Sequence, residues 1–480
     1  MIGSATMFMN TALPFINGYV GTLNETLGEL APGSSLSATQ QHWLAFCLMG
    51  MSVTNSICWA KFERTSLGQY SVAALSWMQR HAKIPWDLLW QASVRATLRH
   101  YHIIEAILVN DDTEKRRAKA TKRIFKAHKL KDNKTGGYIN GQKLVVLLLV
   151  TPKITIPVGV AFYMPDPALT EWYREEARLK TAKVPKRDRP PKPEPNPQYP
   201  TKQQLTLGLI KDFKRYHPTI QVKLTLADSF YGTKEFVDAA AAIYQPEQTQ
   251  VISQLRNNQL VRFRTKTMSV TAFFAQHPGT TQTIKIRGGK VVTIMVSSAR
   301  LYVCAHHTKR FVIAIKYEGE KDYRYLVASN LSWRTLDIVQ GYTFRWLVEV
   351  FFEDFKSYES WGQSAKQTDE EGSCRSVTLS LLLDHCLFFH PDQQAQLENK
   401  LPAYTVGSLL EKIKQVSLLD FIRKLVSEGD VPEKLRLLAE KIDHFFKPAP
   451  SGKHMNHRDL GTLESTPGLK YRSKACLAYS

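Results

Sequence analysis

The chain has 480 residues, 43% of them hydrophobic, and its 64 Lys and Arg against 43 Asp and Glu give a formal net charge of +21. That length and apolar content suit a buried core spread over roughly two to four domains and exclude disorder of the whole chain. The positive excess favours a polyanionic partner, because cationic surfaces gain free energy by releasing counterions from nucleic acid; a merely basic soluble protein or a membrane-surface binder is the plainer alternative.

Six cysteines (Cys47, Cys58, Cys304, Cys374, Cys386, Cys476) are scattered without a CxxC pair, so neither a structural zinc site nor a disulfide framework is expected, and a reducing cytoplasm fits. The first twenty residues contain no Lys or Arg and are interrupted by Asn10, Pro14 and Asn17, unlike a secretory signal. The longest apolar run, Leu144 to Val150, falls far short of the roughly 20 residues that span a bilayer. A soluble protein with no membrane partner is expected.

Residues 1–100 read as an N-terminal helical domain. From Ser35 to Tyr101, apolar residues including Trp43, Phe46, Leu48, Met51, Ile57 and Leu89 recur at helical spacing. A helix-turn-helix across Thr39 to Arg64 that grips DNA ends, and helical packing without DNA, are both open. Residues 101–255 change to short β-branched runs, with strands expected over Ile103–Val109, Lys143–Val150, Ile154–Phe162 and Val222–Leu226. Helices follow at Pro167–Lys180, started by Asp166 and Pro167, and at Lys202–Tyr216. The pattern is α/β. Val184–Pro200 (VPKRDRPPKPEPNPQYP) has too many prolines for either element and is expected to be an exposed linker.

Residues 256–333 look like a separate β-rich insertion, with TQTIKI, VVTIMV, RLYVCA, RFVIAIKY and YRYLVAS divided by turn signals. Residues 334–372 return to a helix, and 373–480 form a C-terminal helical region over Val377–Phe389, Val406–Val426 and Pro432–Phe446, with a tail from Lys447.

The chemistry concentrates in Gly341–Ser357 (GYTFRWLVEVFFEDFKS), which reads as one amphipathic helix. At about 100° per residue from Tyr342, Arg345 falls near 300°, Glu349 near 340° and Lys356 near 320°, so four polar groups share a stripe. Phe344, Leu347, Val348, Phe351 and Phe355 point roughly the other way and supply a buried face. A carboxylate flanked by cations suits phosphoryl chemistry, the glutamate binding a divalent cation while Arg345 and Lys356 hold phosphates. Glu353, near 20° on the same stripe, competes with Glu349. Two further carboxylate positions, Asp111 with Asp112 in IIEAILVNDDT and Asp228 in VKLTLADSFYG, are expected at strand ends, where a rigid scaffold presents them to substrate.

Tyr342, Arg345, Glu349 and Lys356 match the YxxRxxxExxxxxxK signature of the cut-and-paste DDE transposases of bacterial insertion sequences that carry the YREK motif, NDDT resembles that family's first aspartate, and ADSFYG its second. The resemblance spans about residues 101–361. It implies a ribonuclease H-like core, interrupted by a β-rich insertion and carrying helical domains at both ends. It implies that Asp112, Asp228 and Glu349 bind two Mg²⁺ (or Mn²⁺) ions and carry out hydrolysis and strand transfer, while Tyr342, Arg345 and Lys356 position the DNA. Asp112 is preferred over Asp111 because the family's aspartate directly precedes Thr. Double-stranded DNA, as transposon ends and target, is the implied partner, a homodimer the implied synaptic form, and the bacterial cytoplasm and nucleoid the implied location. A catalytically inactive, domesticated DNA-binding regulator and another ribonuclease H-like nuclease are the alternatives.

Lys115–Lys134 packs ten basic side chains into twenty positions and is expected to meet phosphates. Trp333, Trp346 and Trp361 are candidates for stacking on an unpaired base, with packing as the plainer reading. Cys304, His306 and His307 fit an alternating strand, and His385, Cys386 and His390 a helix, better than metal sites.

Overall fold

Five helices open the chain: α1 (Pro14–Leu30), α2 (Ala38–Thr54), α3 (Trp59–Thr65), α4 (Val72–His81) and α5 (Trp86–His100). The computed structural model describes residues 11–117, 124–131, 136–246, 249–286, 289–361, 367–427 and 430–446. A capping box between Ser37 and Gln40 starts α2, and Asn55 in the left-handed region stops it. Ten of its seventeen residues are buried. It is a core helix. Helices α2 and α3 meet at 88°, and the seven residues of α3 are all buried or half-buried. Among the described residues no single helix is long and apolar enough to cross a membrane.

The core sheet follows from the apolar runs. Its strands are β1 (Glu105–Arg116), β2 (His128–Lys131), β3 (Tyr138–Val150), β4 (Thr155–Tyr163), β5 (Gln221–Leu226) and β6 (Gln250–Leu255). Leu144–Val150 is buried at all seven positions, as expected for a strand covered on both faces. Strand β3 runs antiparallel to β1, β2 and β4, and β1, β5 and β6 are parallel. Helices α6 (Pro167–Thr181), α7 (Lys202–Tyr216) and α8 (Lys234–Ile243) intervene, with α7 packed on β3 and β4. The mixed α/β sheet with flanking helices agrees with the expected fold class. The proline-rich segment is exposed and folds back on α6, where Trp172 Nε1 donates to the Pro190 carbonyl at 2.9 Å.

The insertion consists of β7 (Leu260–Phe263), β8 (Lys266–Ser269), α9 (Val270–Gln276), β9 (Thr280–Lys285), β10 (Val291–Val303), β11 (Thr308–Tyr317) and β12 (Arg324–Ala328). VVTIMV and RLYVCA prove to be largely one long strand, β10. Strand β12 hydrogen-bonds to β6, so all twelve strands join in one sheet. The insertion thus extends the core sheet and keeps a small apolar cluster of its own around Val261, Phe273, Phe274 and Val312.

Helices α10 (Thr335–Tyr342), α11 (Leu347–Ser357), α12 (Glu370–Leu387), α13 (Pro391–Glu398), α14 (Val406–Ser427) and α15 (Val431–Phe446) complete the described chain. The terminal helical regions are not two bodies. Tyr19, Leu48 and Leu89 share one apolar cluster with Leu383, Cys386 and Leu410, and Gln79 Nε2 donates to Ser376 Oγ across it at 3.1 Å.

Candidate active site

Asp111 and Asp112 lie within β1, not at its end: β1 runs on to Arg116, paired with β3 throughout. What ends is the parallel pairing on the other edge, at Val109 opposite Leu226. Counting two residues on along both strands brings Asp111 level with Asp228. Alternation then turns Asp111 toward one face of the sheet and Asp112 toward the other.

The contacts agree. Asp111 Oδ2 accepts from Arg345 Nη1 at 3.1 Å, and Arg345 in turn lies 4.0 Å from Glu349. Asp112 faces α7, its two oxygens held by Lys202 Nζ at 2.7 Å and Lys143 Nζ at 3.2 Å. The two aspartates therefore differ in their cation partners, Arg345 for Asp111 and Lys202 with Lys143 for Asp112. The aspartate that meets the helix carrying Arg345 and Glu349 is Asp111, and a neighbouring threonine in sequence says nothing about which face a strand residue takes.

Asp228 caps a short 3₁₀ turn, Ser229–Tyr231, accepting from the Phe230 N–H at 2.9 Å. Ser253 Oγ on β6 holds its carbonyl. Gly232 closes the turn because a Cβ there would meet the Gln254 carbonyl oxygen at 2.1 Å. Burial and the nearby Asp228 push the Asp111 carboxyl up to about 7, against the pull of the Asp112 N–H and Arg345. Asp228 is raised as well, by burial and then by Asp112, with Arg345 and Lys202 acting the other way. Both aspartates of β1 are thus within electrostatic reach of Asp228. Their cation partners tell them apart.

Gly341–Ser357 is not one regular α-helix. A 3₁₀ turn, Thr343–Trp346, separates α10 from α11 and rotates the first turn relative to a uniform helix. Tyr342 is 7% exposed, its hydroxyl near Gln254 and within electrostatic reach of Arg345, Asp228 and Asp111. Arg345, Glu349 and Lys356 remain on the site side. Lys356 is half-buried within reach of Glu114, Lys115 and Glu349. Glu353 instead lines a cavity on the far side of α11 with Phe344, Leu347 and Tyr358, which separates it from Glu349. Phe351 and Phe355 form the buried face, and Phe355 stacks on Trp361 with centroids 5.2 Å apart.

Among the described residues no three His, Cys, Asp or Glu side chains are grouped as metal ligands; the Arg345 guanidinium stands between Asp111 and Glu349. The donor set nevertheless fits a divalent cation. Asp111, Asp228 and Glu349 offer only hard oxygen ligands, and the raised Asp111 marks a buried, like-charged pair whose repulsion such a cation relieves.

Of the other expectations, Trp361 is fully buried while Trp346, beside Arg345, is 61% exposed. In the basic run Lys115 and Arg116 lie in β1, Arg117 sits over the Trp361 ring, and β2 carries Lys129 and Lys131; residues 118–123 and 132–135 fall outside the described residues, as does the tail from Lys447. Cys304–His306 form a 3₁₀ turn between β10 and β11 rather than part of a strand, with His306 Nε2 at 3.0 Å from the Gly232 carbonyl. His385 is a core residue, stacked on Trp90 and bonded to Ser93. Two features escaped the reading of the sequence. One is the Lys143–Asp112–Lys202 group, which a capping box at Thr201 and Gln204 places at the first turn of α7. The other is that residues 248–317 contain eleven Lys and Arg and no Asp or Glu, a signal visible by counting.

Residues 79–272 match the family described as DDE superfamily endonuclease. That match takes in Asp111, Asp112 and Asp228 and ends before Glu349. Among solved structures, the chain is similar to the piggyBac transposase synaptic complex with hairpin DNA, determined by cryo-EM, at 10% identity and a TM-score of 0.40, covering 93% of this chain and 86% of that one. No curated protein matches it by sequence. The DDE superfamily endonucleases generally work with divalent metal ions.

Proposed function

We propose that this chain is a DNA transposase that hydrolyses phosphodiesters and joins strands at the ends of a bacterial insertion sequence, using Asp111, Asp228 and Glu349. The observation that carries the reading is the link from Asp111 through Arg345 to Glu349, which joins β1 to α11 across more than two hundred residues of sequence beside Asp228. The DDE superfamily endonuclease match over the two aspartate segments supports it.

Asp111, Asp228 and Glu349 would hold two Mg²⁺ or Mn²⁺ ions, which supply activation of the attacking oxygen and stabilisation of the departing one. Arg345 has a double part. Without DNA its guanidinium holds the acidic cluster together, and with DNA it is placed to take a phosphate in bidentate fashion. Lys356, two turns beyond Glu349, offers a second phosphate contact, and the exposed Trp346 a face for an unpaired base. Tyr342, being buried, serves by packing α10 on the sheet. Duplex DNA is the proposed partner, supported by residues 248–317, which carry eleven Lys and Arg and no Asp or Glu. Joining two ends calls for two copies on DNA, and a bacterial cytoplasmic, nucleoid-associated location goes with that substrate.

The test is incubation of the purified chain with its own element's ends and Mg²⁺. Asp111→Asn, Asp228→Asn and Glu349→Gln should bind the ends and leave them uncut, whereas Asp112→Asn should still cut. Normal cutting by Asp111→Asn, or loss of cutting only in Asp112→Asn, sinks the assignment.

A further inference from the structure

The face of β1 opposite Arg345 carries a group that the proposed chemistry does not use. Lys143 and Lys202 come from β3 and from the first turn of α7 and converge on the two oxygens of Asp112 at 3.2 and 2.7 Å. All three side chains are 16–18% exposed. One lysine would neutralise one carboxylate. A second ammonium drawn out of water to the same spot costs free energy unless another anion shares it; Glu114, at 37% exposure, reaches only Lys143, at 3.5 Å. Around Lys202 the surroundings are aromatic, with its Nζ 5.6 Å from the Tyr163 ring centroid and 5.1 Å from that of Phe230. Phe230 is 41% exposed and follows Asp228 by two residues. Gln203 Nε2 donates to the Phe230 carbonyl at 2.9 Å, so the α7 N-terminus is fastened to the turn that carries Asp228.

We infer that Lys143, Lys202 and Phe230 form a phosphodiester-binding subsite for the DNA strand, on the opposite side of β1 from Arg345, and that Asp112 is the internal anion that keeps the two lysines in place until DNA arrives. A carboxylate and a phosphodiester each present two oxygens on one centre, so the ammonium pair that fits the first also fits the second. The N–H groups and positive end of α7 add to the same attraction. The exposed Phe230 ring offers its face to the adjoining base. The inference rests on reading this surface as a DNA-cutting site, and it gives Asp112 a role different from metal ligation.

The test is carried out on the full chain with EDTA present, so that metal binding and cutting play no part. Binding of a linear duplex with a short single-stranded end is followed by fluorescence anisotropy over a range of salt. Asp112→Asn should tighten binding by roughly threefold to tenfold, because a competing anion is gone. Lys143→Gln with Lys202→Gln should weaken binding and reduce the slope of log K against log salt by about two charges' worth, while the Lys→Arg pair keeps the slope. Equal or weaker binding by Asp112→Asn with an unchanged circular dichroism spectrum overturns the inference, and so does an unchanged slope in the Lys→Gln pair. Should that pair not fold, the Asp112→Asn measurement decides alone. Failure of the unaltered chain to cut its element's ends with Mg²⁺, alongside a changed lysine slope, would instead defeat the transposase reading and leave the phosphate subsite standing.

Discussion

Asp111 and Asp112 are chemically identical neighbours, and only their environments separate them. Asp111 is buried against Asp228 and is pushed up to about 7, so below about pH 4 it is protonated folded or unfolded and has no effect on stability. Between those values the folded state holds a proton that the unfolded state has released, and the folded protein loses relative stability as pH rises to 7. Asp111→Asn should therefore raise the melting temperature of the metal-free protein at pH 8 and leave it unchanged near pH 4. Thermal melts at both pH values check this, and Mg²⁺ should raise the melting temperature of the wild type at pH 8 but not that of Asp111→Asn. At Gly232 the limit is steric. A Cβ would sit 2.1 Å from the Gln254 carbonyl oxygen, so Gly232→Ala must displace the turn after Asp228. A loss of about 2 kcal/mol or more in urea unfolding is expected, as for other backbone-incompatible substitutions.

Elements were legible wherever burial and periodicity agreed. Helix α7 has the bounds that the sequence suggests, since a capping box starts it and its apolar stripe is regular. The helix bearing Glu349 was legible in position but not in shape. Nothing in GYTFRWLVEVFFEDFKS announces a 3₁₀ turn, which arises because α10 and α11 pack against different parts of the sheet system, α10 against β9 and β11, α11 against β1. Tyr342 is buried just before that break, and Arg345 within it reaches Asp111. The buried face of α11 is what holds Glu349 in place, so Phe355→Ala, which removes a fully buried ring stacked on Trp361, should cost about 3–5 kcal/mol. Denaturant melts measure that cost, and a cutting rate that falls while DNA affinity holds would show that α11 acts by alignment.

Over the whole molecule the charge is unevenly placed. Eleven of the 64 Lys and Arg lie in residues 248–317 with no acidic residue among them, and among the described residues only Arg310 of those eleven makes an ion pair, with Asp238. Arg262, Arg264 and Lys266 crowd the β7–β8 hairpin at the end of the sheet, and Lys285 lies beside α10 through the backbone bonds it makes with Gln340. Replacing Arg262, Arg264 and Lys266 together by Gln should lower the salt slope of DNA binding by about two to three and leave the melting temperature nearly unchanged, as expected for exposed phosphate-contacting side chains. A slope equal to that of the wild type would show that the hairpin stays clear of DNA.

By itself the amino-acid sequence determined the α/β class, the strands and helices of the core, and the segments in which the acidic residues lie, because these depend on local periodicity and caps. Tertiary structure alone decided that Asp111 meets Arg345 while Asp112 turns to two lysines, that the insertion continues the core sheet, and that the two terminal helical regions share one core. Strand register and the choice of partner across hundreds of residues are set by packing, and neighbours along the chain carry no record of them.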